Sequence, residues 1–318
     1  MAANAVAATV TRHDAMSPLE LVSGYAAAKS RQDVEAALAF CTEGFVLDTV
    51  PFGIRGAGSA DVAGQLGVFF ATFPDYRVAI EGQAVADDHS AVTCWGTWRA
   101  TMRGTLGSFA ATQAACTLPF VCVFDLADGR LASERFFFDL ATMCTQLGLP
   151  LDAIAAQLQD FAAAHPATPK AESFWSLPGA PATASRAGTT ERVHDPAADF
   201  VARFADFWRP PVDLRVLETL LHPESRLIAP GMPTTVGREA GIEAFRNVFA
   251  MVPDLHIDVV RWRGNGDVVF IETVMRGTMN GHALEMPAVD RITIRDGMVL
   301  ERVAYFDAGA MQAAMTTV

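Results

Sequence analysis

The chain lacks the features by which several function classes announce themselves. No run approaches the ~18 consecutive apolar residues that a membrane-crossing helix needs. Basic residues are scarce beside acidic ones: 24 Lys and Arg against 36 Asp and Glu give a net charge of −12. That balance argues against direct binding to nucleic acid or to an anionic membrane. No C-x-x-C or H-E-x-x-H spacing occurs and the seven histidines are scattered, so no dedicated metal site is expected. Cysteine is missing from the whole second half. Cys41, Cys94, Cys116, Cys122 and Cys144 all lie in the first, an odd and lopsided set that fits free thiols in a reducing cytoplasm. The opening ten residues are apolar but lack a basic flank, and Arg12-His13-Asp14 follow at once, so a disordered tail is expected there rather than a secretory signal.

What is present is a sequence written twice. Phe73-Pro74-Asp75 returns as Val252-Pro253-Asp254, and Arg99-Ala100-Thr101-Met102 as Arg276-Gly277-Thr278-Met279. Asp128-Gly129, followed by an apolar run ending Phe137-Phe138-Asp139, returns as Asp296-Gly297 and a run ending Tyr305-Phe306-Asp307. Three anchors in one order indicate a duplicated domain, and the period is far too long for a solenoid unit. A chain of 318 residues also exceeds the usual size of a single core. We read residues 1–16 as a tail, 17–163 as the first domain, 164–192 as a Pro- and Ala-rich linker, and 193–318 as the second domain.

Within each copy, helices come first. Ser17-Pro18-Leu19-Glu20 is an N-cap, a proline and an acidic first turn, and the helix it opens shows Leu21, Val22 and Tyr25 on one face. Short helices around 33–40 and 61–73 frame a strand at 44–48. Four strands follow, with Asp128-Gly129 at the last hairpin and a helix opening at Asp139. The second copy repeats the order. Helices followed by an antiparallel meander make an α+β class, a curved sheet wrapped on helices. Copy one carries a longer connection, Thr105 to Thr117, which is expected to reach over a pocket mouth or a neighbouring domain.

The two Pro-Asp turns, the Gly277-Thr278-Met279-Asn280-Gly281 hairpin, the strand Val289-Asp290-Arg291-Ile292-Thr293 and the closing Tyr305-Phe306-Asp307 together carry a resemblance. The chain resembles the nuclear transport factor 2-like superfamily, and within it the SnoaL-like polyketide cyclases. The resemblance implies two tandem cone-shaped α+β barrels, each with a deep apolar pocket. It implies acid/base chemistry without a cofactor on a small apolar molecule bearing a carbonyl or epoxide: isomerase, aldol-type cyclase or epoxide hydrolase. The alternative is a non-catalytic protein that binds a lipophilic small molecule. Such folds pair through the outer sheet face, so an intramolecular pseudo-dimer is expected, with a further homodimer left open.

The resemblance also points to residues. Asp48 and Tyr25 occupy the places of the base and the oxyanion-holding tyrosine of ketosteroid isomerases, a pair that moves a proton beside a carbonyl and holds the enolate. Asp75, with Asp48, matches the two-carboxylate arrangement of polyether-type epoxide hydrolases, although a turn-forming role suits it equally. Cys122 stands where that isomerase constellation has an aspartate, and in the second copy the same position is Asp290, the acid/base position of SnoaL-like cyclases. If Asp296-Gly297 makes a bulged turn, Asp290 faces Arg302 across the hairpin. Phe52, Trp98, Cys122, Phe124, Phe136 and Phe138 are expected to wall the first pocket and to suit a flat or aromatic substrate.

Overall fold

The structure is a computed structural model describing residues 16–86, 88–164, 196–230 and 232–306. The tail, the linker and the helix expected to open at Asp307 lie almost wholly outside the described residues. Helix α1 (Pro18–Ser30) starts at a reciprocal cap: Ser17 Oγ accepts from the Glu20 amide while the Glu20 carboxylate accepts from the Ser17 amide. Its buried face is Leu21, Val22, Tyr25, Ala28 and Lys29, the spacing of a single helical stripe. Then come α2 (Val34–Leu38), β1 (Cys41–Thr49), β2 (Ile54–Ala57) and α3 (Ser59–Thr72). Strands β3 (Arg77–Val85), β4 (Ala91–Thr101), β5 (Ala115–Ala127) and β6 (Arg130–Phe138) follow, and α4 (Leu140–Leu147) and α5 (Leu151–Ala164) close the copy. The second copy runs α6 (Pro196–Phe207), α7 (Leu217–Leu220), β7 (Leu221–Ile228), β8 (Thr235–Val236) and α8 (Arg238–Met251). It ends with β9 (His256–Asn265), β10 (Val268–Met279), β11 (His282–Arg295) and β12 (Met298–Phe306).

The sheets have the orders β2-β1-β6-β5-β4-β3 and β8-β7-β12-β11-β10-β9. Both are curved six-stranded sheets with two open edges, so the expected barrels are not closed. They are also mixed rather than pure meanders, because β1 runs parallel to β6 and β7 parallel to β12. The duplication is closest at the turns. Asp128-Gly129 (φ 52° and 69°) and Asp296-Gly297 (φ 53° and 72°) make the same two-residue hairpin, whose positive φ angles suit Asp-Gly. Each is preceded by a bulge at the equivalent place, between Asp125 and Leu126 and between Thr293 and Ile294.

The long connection of copy one does not float. Ser108 donates through its amide and hydroxyl to Gln157 Oε1 on α5 at 2.8 and 2.6 Å, and Thr72 donates to the Thr105 carbonyl at 2.7 Å. Leu106, Phe109 and Ala114 pack on the core of their own copy. These contacts hold the segment on its own domain.

Strand alternation sends the opposite faces of the sheets toward each other. Val50, Val121, Val123 and Phe137 of copy one share an apolar cluster with Phe270, Val289, Val303 and Tyr305 of copy two. The Trp95 and Phe270 rings meet at 4.8 Å. Inside this seam Glu272, fully buried, is reached by Arg135 at 2.9 Å, Arg261 at 2.7 Å and Arg263 at 2.6 Å. Arg261 also reaches Asp125 at 2.7 Å, and Arg263 donates to the Thr93 hydroxyl at 2.7 Å.

Candidate active site

On β6, alternation turns Glu134 into the cone and Arg135 outward into the seam, and both are buried. On α1, Tyr25 and Lys29 lie one turn apart, so both reach the same point of the sheet. They meet at the Glu134 carboxylate. The Tyr25 hydroxyl donates to Oε2 at 2.6 Å, and the Lys29 ammonium to Oε1 and Oε2 at 2.9 and 3.0 Å. The Cys122 thiol adds a longer contact to Oε1 at 3.4 Å. Glu134 and Lys29 are only 1% and 5% exposed, so this is a charged pair built into an apolar core. Such a pair persists only if its hydrogen bonds are made.

The cluster forms one wall of a cavity of about 20 Å³, completed by Val22, Tyr76, Val78, Ile80, Phe120 and Phe124 among others. That volume holds about one water molecule. Ala26, Val78 and Ile80 are only half-buried, so the cavity approaches the surface between α1 and β3. Burial, and then the Glu134 charge, push the Tyr25 phenol well above its ordinary range, so it stays a hydrogen-bond donor. Burial, then the Cys94 thiol, do the same to Cys122. Among the described residues, no three His, Cys, Asp or Glu side chains are grouped to hold a metal ion.

This geometry corrects the expected constellation. Tyr25 is inside the cone, but Asp48 is not across a void from it. Cys41, Phe45, Leu47 and Thr49 are the buried positions of β1, and half-buried Asp48 stands on the other face, level with Arg55 and Arg135. Asp75 is also away from the cavity. It accepts from the Thr101 amide and hydroxyl, both at 2.7 Å, and thereby ties the turn after α3 to the end of β4. Although burial opposes it, these bonds hold the Asp75 carboxyl below its usual range. Asp254 repeats the clamp on Thr278 at 2.7 and 2.8 Å. Of the expected wall residues, Cys122, Phe124 and Phe136 line the cavity. Phe52, Trp98 and Phe138 instead pack against one another, with Phe138 at 5.3 Å from Phe52 and 5.4 Å from Trp98. Replacing Asp75 by Ala should lower stability by about 1 kcal/mol, discounted for its exposure, and leave the cavity cluster unchanged. A chemical-denaturation midpoint measures this, and a loss of ligand binding without loss of stability would refute the clamp.

In copy two the polarity is reversed. Asp290 accepts from Arg302 at 2.8 and 3.1 Å across the hairpin. Arg302 stands where Glu134 stands, Asp290 where Cys122 stands, and Phe204 and Trp208 where Tyr25 and Lys29 stand. The guanidinium lies 5.8–5.9 Å from the Phe204, Trp208 and Phe245 ring centres, so three aromatic faces and one carboxylate enclose it.

Sequence reasoning missed Glu134 and Lys29. One available signal was that Lys29 follows Tyr25 by one turn on a face already read as inward. The other was that Glu134 matches Arg302 at the constant spacing of the last hairpin, an ionised residue at the same register in both copies.

Two curved sheets, each wrapped on N-terminal helices, with ionised groups buried inside both, define a tandem α+β cone protein. Residues 19–147 match the family model described as SnoaL-like polyketide cyclase, and residues 187–302 match the one described as SnoaL-like domain. The chain therefore carries two SnoaL-like domains in tandem, one in each copy. No curated protein matches it in sequence. Similar solved structures include a candidate polyketide cyclase from Pseudomonas putida KT2440, at 23% identity over 41% of this chain and 98% of that one, with TM-score 0.38. A protein of ketosteroid isomerase-like fold from Catenulispora acidiphila, in complex with trimethylamine, matches at 18% identity over 43% and 98%, with TM-score 0.38. AclR, a candidate hydroxylase from Streptomyces galilaeus, matches at 19% over 42% and 97%, with TM-score 0.37.

Proposed function

We propose that copy one is an acid/base enzyme acting without a cofactor on a small apolar molecule that carries a carbonyl or epoxide. The observation that carries this is the meeting of a carboxylate, a phenol and an ammonium, all buried, on one cavity wall. A carboxylate so placed moves a proton, and the two donors beside it hold the oxygen on which charge develops. Isomerisation, aldol-type cyclisation and ring opening all need that set. The family description, SnoaL-like polyketide cyclase, supports the same class of chemistry. Because the cavity is small, substrate must displace water and part the α1–β3 gap as it enters. Copy two serves as the structural half of an intramolecular pseudo-dimer, since its equivalent groups are spent on the enclosed Asp290–Arg302 pair.

The test is deuterium uptake from heavy water into the α-positions of a panel of cyclic ketones and diketones, read by NMR, with epoxide opening read in parallel. Glu134→Gln is expected to slow the active substrate by roughly 10²–10⁴, and Tyr25→Phe by less. Equal rates in wild type and Glu134→Gln would refute the reading. Tight binding of the panel with no turnover would instead establish a non-catalytic binding protein.

A further inference from the structure

We propose that Lys29 is a nucleophile that captures a short aldehyde or ketone as an imine; this rests on the reading of copy one as an acid/base site and names its substrate class.

The choice of cation is what sets Lys29 apart. Of the chain's 24 basic residues only Lys29 and Lys170 are lysine; the rest are arginine. Elsewhere among the described residues, the cations beside a buried carboxylate are arginines: Arg135 and Arg263, both buried, on Glu272, and the half-buried Arg302 on Asp290. Arginine suits that task, because it stays charged and binds a carboxylate through a planar fork. Lys29 sits instead against a cavity. A lysine differs from an arginine in that, once it gives up a proton, it presents an amine able to attack a carbonyl carbon.

The neighbours supply the remaining steps. Glu134, at 2.9–3.0 Å, is placed to take the ammonium's proton. The freed amine forms a C–N bond to the carbonyl carbon while the C=O π pair moves onto oxygen. The surplus proton on nitrogen passes to that oxygen through the Tyr25 hydroxyl, which lies 2.6 Å from Glu134 and reaches the same cavity. Glu134 then returns its proton to the new hydroxyl. Water leaves, the nitrogen lone pair closes the C=N bond, and the protonated imine stands beside a carboxylate again. Nothing is oxidised or reduced, and the net change is amine plus carbonyl to imine plus water. The walls Val22, Val78, Ile80 and Phe120 are apolar, which selects short alkyl carbonyl compounds over sugars or keto acids.

The experiment is reductive trapping on the full chain. Propionaldehyde or cyclohexanone is added with sodium cyanoborohydride, and the site of alkylation is mapped by peptide mass spectrometry. Lys170 and the N-terminal amine serve as references within the same molecule. The expected result is preferential labelling of Lys29, loss of that adduct in Lys29→Arg, and labelling slowed by roughly 10²-fold in Glu134→Gln. Should Glu134→Gln not fold, Tyr25→Phe, which keeps the ion pair, is expected to slow labelling as well. Labels on Lys170 and the N-terminus alone, with Lys29 reacting only after unfolding, overturn the proposal. Deuterium exchange in wild type without an adduct overturns the imine and leaves the acid/base reading standing. An adduct without exchange establishes the capture and removes proton transfer at substrate carbon from the site's chemistry.

Discussion

Glu272→Gln is expected to destabilise the whole chain by roughly 3–5 kcal/mol, the cost of leaving buried charge without its counter-ion. Three guanidiniums converge on this carboxylate, and two of them, Arg135 and Arg263, have side chains only 3% exposed. Gln keeps the shape and one acceptor but removes the charge, so both desolvated arginines lose their nearest counter-ion, and Asp125, 3.5 Å from Arg135, compensates only in part. The pH dependence has the same origin. Burial alone would raise the Glu272 pKa, but Arg135, Arg263 and Arg261 outweigh it and hold the carboxyl far below its ordinary value of 4.5. A carboxyl with a depressed folded pKa contributes fully above its unfolded pKa. That contribution is lost as pH falls below about 4.5 toward the folded value. Wild type should therefore show a denaturation midpoint that declines as pH is lowered from 4.5, and the variant should lack that part of the decline. Superimposable pH curves, or an unchanged midpoint at neutral pH, would show that the seam does not depend on this charge.

Asp290→Asn is expected to cost a similar amount, roughly 3–5 kcal/mol, through a different core. Arg302 is 14% exposed and Asp290 1%, so the variant leaves a guanidinium among three rings with an amide in place of its counter-ion. The paired change Asp290→Leu with Arg302→Met should recover much of the loss, because an apolar pair of matching volume carries no desolvation cost. Turnover in copy one should be untouched. The measurement is a denaturation midpoint alongside deuterium uptake by the active ketone. Loss of exchange with stability intact would move the acid/base chemistry to copy two.

The duplication, the α+β class and the positions of the Asp-Gly hairpins were legible because they rest on local signals: turn chemistry, caps and repeated anchors. The edge strands β2 and β8 were not, since Ile54–Ala57 and Thr235–Val236 are too short to show a period. The division of the last helix of copy one at Gly148, φ 68°, was likewise passed over. Tyr25 was found because its face was fixed by the stripe of α1. Asp48 was misplaced because facing in β1 alternates residue by residue, so an error of one position exchanges cavity for seam. Glu134 and Arg135 present the same problem in reverse. Two adjacent charges in an apolar strand look alike in sequence, yet one faces the cavity and the other the second copy.

The two halves bring unlike groups to the seam. Strand register makes Glu272 the counterpart of Trp95, because the residues before them, Ile271 and Cys94, oppose Asp290 and Cys122. By the same register Arg263 corresponds to Ala84 and Arg261 to Gly82, while Arg135 corresponds to Val303. A pair made of two first copies would set Arg135 against tryptophan, and a pair made of two second copies would put valine in the place of Arg135 and leave Glu272 with Arg261 and Arg263 of its own half. The cross-copy ion pair therefore needs one half of each kind, and the self-matching patch that an identical pair requires does not reproduce it. Cutting the chain into identical single-domain subunits would therefore remove the Arg135–Glu272 contact at 2.9 Å, whichever half was kept.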